Sequence, residues 1–216
     1  MVSPIKDVSE EKWQARKSAL MRDKIVVATL ECIVQFGYEN TTMAKIAKMA
    51  KVSPGAMQYH FGSKLEAIMA AIDHLNSVRL AQHHRALQEV PKGMNPIDYT
   101  FDLYWAQVNE DHFTAYQDLV IAARTHPELA AVLEPAYQRF LKAWRQNAYG
   151  EVPEWSNLEQ FDVIADLAQY LMEGLAYGRL NSQLSEERTT RLLALTKKMV
   201  IGLLDGDFLE TEIPKK

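Results

Sequence analysis

The chain has one cysteine, Cys32, among 216 residues, so no internal disulfide can form, and the lone thiol suits a reducing cytoplasm. On the apolar face of a helix it reads as a small buried hydrophobe rather than a redox sensor. There is no run of about 18 apolar residues to span a bilayer. The N-terminus, Met-Val-Ser-Pro-Ile-Lys-Asp-Val-Ser-Glu-Glu-Lys, mixes both charge signs and has no apolar h-region, so it does not read as a secretory signal. Catalytic signatures are missing too. The sequence has no Gly-x-Ser-x-Gly elbow, no phosphate loop and no His-Glu-x-x-His, nor the Glu-x-x-His that a di-iron bundle requires. His60, His74, His83, His84, His112 and His126 form no ligand set, and His83-His84 reads as a solvated pair. The expectation is no catalytic residue, no metal and no cofactor. Strand alternation, internal repeats and low-complexity segments are also absent from the pattern.

What remains is helical. With 48% hydrophobic and 24% charged residues, the chain has ample core material for a globular protein. Apolar spacing and breakers predict about nine helices: 10–36, two short ones within 41–62, a fourth from Ser63 to Gln88, then 96–109, 110–124, 127–148 with Pro135 kinking or splitting it, a helix opened by Ser156 and ending near Leu180, and 186–205. Residues 1–9 read as a loose arm. The net charge of −4 hides an asymmetry. Residues 1–64 carry ten Lys/Arg against six Asp/Glu, and the rest carries fourteen against twenty-two. That fits a basic head on an acidic body.

Residues 41–64 carry the most information. Met43, Ile46, Ala47 and Ala50 form one apolar helix face, with Thr41 or Thr42 as cap. Ser53-Pro54 starts a second short helix with a hydroxyl cap and a proline where no N–H is needed. Two short helices joined by three residues make a helix-turn-helix, and the second helix suits a DNA major groove. On it, Pro54, Ala56, Gln58 and Tyr59 are candidates for base contact. Gln58 can pair with adenine, and Ala56 can touch a thymine methyl. Thr42, Lys45, Lys48, Lys51, Ser53, His60 and Lys64 complete the candidate DNA-binding set, mostly as phosphate contacts.

Thr41-Thr42, Ile46-Ala47, Ala50, Val52-Ser53, Gly55, Tyr59-His60-Phe61 and Ser63-Lys64 resemble the N-terminal signature of the TetR family of transcriptional regulators. So does the upstream face of Ile25, Ala28, Cys32, Ile33 and Phe36 with its Gly37-Tyr38-Glu39-Asn40 ending. The resemblance covers residues 20–68, with fainter patches at residues 122–129 and 172–175. Two positions depart from the family pattern: Lys51 stands where glycine is usual, and Gln58 where tyrosine is frequent. The resemblance implies an all-α fold with an N-terminal three-helix DNA-binding domain, residues 1–62, and a C-terminal helical ligand-binding and dimerisation domain, residues 63–216.

It also implies a cytoplasmic, ligand-responsive repressor that binds a palindromic double-stranded DNA operator as a homodimer, with no membrane partner. A small apolar or aromatic effector would sit among the aromatics of the body. Tyr104, Trp105, Phe113, Tyr116, Trp144 and Met172 are the candidate lining. Gly174, Gly178 and Gly202, on the last two helices, are the candidate dimer interface. A DNA-organising or division-linked structural protein on the same fold, with no small effector, is the alternative.

Overall fold

The computed structural model describes residues 8–206 apart from residue 159, and side-chain surroundings from residue 12. The expected N-terminal arm lies almost entirely outside the described residues. Among them the secondary structure is helical: α1 (Val8–Asn40), α2 (Met43–Ala50), α3 (Pro54–His60), α4 (Lys64–Gln88), α5 (Pro96–Val108), α6 (Asp111–Ala122), α7 (Pro127–Glu151), α8 (Phe161–Leu180) and α9 (Glu186–Asp205), with a 3₁₀ turn at Pro153–Asn157. Among the described residues no helix is long and apolar enough to cross a membrane.

The chain divides into two compact units. The first holds residues up to 77 together with 114–138, and the second holds 78–113 and the residues from 139 onward. The head boundary expected at residue 62 therefore falls inside the first unit. That unit is built on Ile25, Ile33, Ile46, Met57, Ile68, Ile72, Leu119 and Leu129, all fully buried. Each contributes roughly 1.5–3 kcal/mol relative to an exposed side chain. Cys32 lies in the same core, where burial pushes its thiol pKa up and keeps it inert.

The long first helix breaks at Gly37, whose φ of 72° and ψ of 171° lie outside the helical region. Glycine is needed there for its positive φ. A Cβ at this position would also stand 3.3 Å from the Asp118 carboxylate. The next turn is closed by Thr41 Oγ1, which donates to the Gly37 carbonyl at 2.7 Å.

The second unit contains two aromatic-rich clusters. One gathers Leu87, Ala148, Val152, Trp155 and Phe161; the other gathers Phe101, Ile164, Ala168, Met172 and Val200. Polar ties fix its helices. Tyr104 donates to Glu173 at 2.7 Å, joining α5 to α8, and Lys197 of α9 reaches Asp98 at 3.1 Å and Asp102 at 3.0 Å on α5. Ser185 caps α9, accepting from the Arg188 amide at 3.3 Å, and Gly206 ends it in the left-handed region.

Two expectations about elements change. Pro135 does not split α7: it lies inside a continuous helix, on its exposed face, where the carbonyl of Ala131 can turn to water. Ser156 does not open α8: its hydroxyl donates to the Pro153 carbonyl at 2.6 Å within the 3₁₀ turn, and α8 starts at Phe161.

Candidate nucleic-acid interface and ligand cavity

The first unit forms the helix-turn-helix as its caps dictate. Thr42 Oγ1 accepts from the Lys45 amide at 3.3 Å, and Ser53 Oγ accepts from the Ala56 amide at 3.1 Å, so each short helix has a satisfied N-terminus. Lys51 ends α2 in the left-handed conformation, φ 53° and ψ 46°, where glycine is the unstrained residue. The Val52 amide bonds back to Ala47 and the Lys51 amide to Lys48, closing the turn.

On α3, Met57 is buried, and Phe61 just after it plugs the core, while Tyr59 is 81% exposed and Gln58 is exposed. Lys48, Lys51, Ser53 and Pro54 are exposed; Ala56 and His60 are half-buried. The His60 ring meets Tyr59 edge-on at 5.1 Å. Gln58 Nε2 makes only a 3.3 Å bond to the Gly62 carbonyl at the surface, one that base contact can replace.

Two expected phosphate contacts are engaged elsewhere. Lys64 Nζ donates to the Tyr38 carbonyl at 2.6 Å and lies 3.9 Å over the Tyr38 ring; burial lowers its pKa, against the opposing influence of Glu39. Lys45 Nζ donates to the Asn40 carbonyl at 2.8 Å and lies over Phe36. Both ammonium groups brace the end of α1.

Residues distant in sequence hold that same end, and the sequence reading missed one of them. Asp118 of α6 accepts from the Tyr38 amide at 3.0 Å. His126 Nε2 lies 2.6 Å from the Glu39 carboxylate, with its ring edge-on to Tyr38 at 5.0 Å. No local pattern marks Asp118, which acts 80 positions from its partner. His126 lies in the stretch 122–129 that resembles the family.

The second unit contains a partly open cavity of about 110 Å³. Phe101, Tyr104, Trp144, Trp155, Phe161 and Met172 supply apolar walls, and Arg79, His83, Gln107, Asp162, Asp166 and Gln169 supply polar ones. Trp144 and Trp155 stack on Phe161 at 6.3 and 4.9 Å between centroids.

Three of the six expected lining residues, Tyr104, Trp144 and Met172, are there, and the other three are not. Trp105 packs against the cluster around Phe101. Phe113 is buried and supports the cavity through an edge contact to Tyr104 at 6.5 Å. Tyr116 belongs to the core of the first unit. Helical spacing alone does not separate core aromatics from wall aromatics.

The histidine reading also changes. His83 is 8% exposed and lines the cavity; burial, with help from His84, pushes its pKa down to about 4, so it is neutral at pH 7. At the acidic side, Asp162 pairs with Arg145 at 2.9 Å and accepts from Tyr149 at 2.7 Å. Burial and then that bond push the Tyr149 phenol up to about 12.

The expected dimer glycines separate as well. Gly178 is buried, and a Cβ on it would meet Leu184 Cδ1 of the same chain at 2.8 Å. Gly202 is also buried. Only Gly174 is exposed, with open space around it.

Among the described residues the secondary structure is helical, with a capped helix-turn-helix in the first unit and a cavity in the second. Residues 25–72 match the family model for bacterial regulatory proteins of the tetR family. It is 35% identical over 82 residues to the HTH-type transcriptional regulator TcmR of Streptomyces glaucescens, covering 38% of this chain and 34% of that one. It is 25% identical over 130 residues to CymR of Pseudomonas putida, covering 60% and 64%. The chain thus spans between about a third and just under two thirds of these relatives. The fold matches that of solved regulators: one from Pseudomonas aeruginosa PAO1 with TM-score 0.65 and 19% identity over 86% of this chain and 90% of that one, and one from Rhodococcus sp. Rha1 with TM-score 0.63 and 21% identity over 83% and 95%.

Proposed function

We propose that this protein is a ligand-responsive, homodimeric transcriptional repressor that reads a palindromic DNA operator with α3. The observation that carries this reading is the division of α3 itself. Met57 is buried in the core, while Gln58 and Tyr59 are free to meet base edges. A similar chain, IcaR of Staphylococcus aureus, is described as a negative transcriptional regulator, which supports repression as the sign.

Dimerisation is supported by α8. Val163, Leu167, Tyr170, Gly174 and Tyr177 alternate in steps of four and three residues and are all exposed. Such a stripe is the seam of a helix pair seeking a partner, and a second copy supplies the same stripe. Two reading helices then meet successive major grooves about 34–36 Å apart.

The cavity favours an effector over the alternative of a DNA-organising structural protein, which has no use for a partly open space with apolar walls and polar anchors. On α4, Lys64 braces the head, and Arg79 and His83 face the cavity. A ligand that prefers one setting of this helix weakens DNA binding by its differential affinity, typically 1–3 kcal/mol, or about 5–150-fold. In vitro selection from random DNA tests the reading: an inverted repeat supports it, and the absence of any enriched sequence overturns it.

A further inference from the structure

We propose that the cavity takes a small aromatic carboxylate, with Arg79 as the counter-ion of the carboxylate group; this rests on reading the cavity as the effector site. Arg79 is 9% exposed and lines the cavity. Its Nε is buried with no hydrogen-bond partner among the described residues, and no acidic side chain there pairs with it. The protein surrounds the guanidinium with rings instead, Phe140 at 4.6 Å, Phe113 at 5.1 Å and Tyr104 at 6.0 Å.

Ring faces compensate only part of the desolvation of a buried cation. Guanidinium keeps its charge and offers a planar fork that matches a carboxylate. One turn along α4, His83 Nδ1 is likewise buried without a partner, so two polar atoms on one helix face lack what a ligand oxygen provides.

The charges at the acidic side differ in kind. Asp162 already holds Arg145 and Tyr149, and Asp166 is half-exposed to water. The buried charge without an opposite is therefore positive, and the ligand charge that balances it is negative. The ring follows from the walls: Trp144, Trp155 and Phe161 present stacked planes. The partly open volume of about 110 Å³ is on the scale of the ~150 Å³ that holds a single benzene ring, which limits the ligand to a compact one.

Titration calorimetry of the full-length protein tests this with benzoate, its neutral counterpart benzamide, and benzyltrimethylammonium, on wild type, Arg79→Met and Arg79→Lys. Benzoate should bind wild type at least about tenfold more tightly than benzamide. Arg79→Met should erase that preference while still binding benzamide, and Arg79→Lys should keep part of it. Benzamide binding as tightly as benzoate, the quaternary ammonium binding best, or an unchanged preference in Arg79→Met would overturn the carboxylate assignment and leave the cavity as a ligand site. Failure of all three rings to bind wild type would overturn the site reading and this inference with it. Should Arg79→Met not fold, the wild-type ratio and the lysine variant decide the matter.

Discussion

The backbone amide of Tyr38 donates to the side-chain carboxylate of Asp118 at 3.0 Å, across 80 positions of sequence. The bond falls one residue after the break at Gly37, so the end of α1 is held by α6 rather than by its own helix. Asp118→Ala leaves that amide without its acceptor and removes a charge-assisted bond. Because Asp118 is exposed overall, the expected loss is at the low end, about 1 kcal/mol, read as a lower urea midpoint with unchanged slope. Stability equal to wild type would show the bond to be incidental.

Lys51 occupies the left-handed cap of α2, at φ 53°. Lys51→Gly relieves a conformational penalty of roughly 1–2 kcal/mol, offset in part by the freer unfolded chain, so a net gain of about 1 kcal/mol is expected. If the lysine also meets a phosphate, the same change lowers the slope of log affinity against log salt by about one. A less stable glycine variant would show that Lys51 makes a contact outweighing its strain.

His83 gives the fold a pH dependence. Its folded pKa, about 4, lies below the ordinary 6.5, so the unfolded chain binds the proton more readily. The stabilisation is present above pH 6.5 and is lost as pH falls toward 4, on the order of 3 kcal/mol in full. His83→Leu should flatten the stability profile between these pH values, measured by denaturation at each pH. An unchanged profile would place the titration elsewhere.

The stripe on α8 separates assembly from folding. Tyr170→Lys changes an exposed residue of the stripe and should halve the mass seen by light scattering, from twice 24.6 kDa to one chain, with the helical content kept. Gly178→Leu acts differently: its side chain would collide with Leu184 of its own chain and should lower stability before it affects association. A wild type that is monomeric at micromolar concentration contradicts the dimer.

The helix-turn-helix was legible because its determinants are local. Thr42, Ser53-Pro54 and the apolar face of Ile46, Ala47 and Ala50 act within a few residues of one another. The limits expected for the fourth helix, 63–88, and the last, 186–205, lie within a residue of those of α4 and α9. The cavity was only half legible. Tyr116 and Tyr104 have the same helical periodicity, and only long-range packing sends one to a core and the other to a wall. Arg79 and His83 look in sequence like ordinary surface residues of an amphipathic helix. Their burial is imposed by rings such as Phe140 and Trp144, some sixty positions away. Gly178 suggested close approach by another helix, and the neighbour that fills the space is its own Leu184.

The central claim is that α3 reads base sequence with Gln58 and Tyr59. The most direct measurement compares the DNA enriched from a random pool by wild type and by Gln58→Ala. Gln58 is exposed, so the substitution should leave the fold intact. Wild type should enrich an inverted repeat, and Gln58→Ala should lose about 1–3 kcal/mol of discrimination at symmetric positions of each half-site while still binding DNA. The same repeat, enriched with the same preference at every position by both proteins, would contradict the assignment.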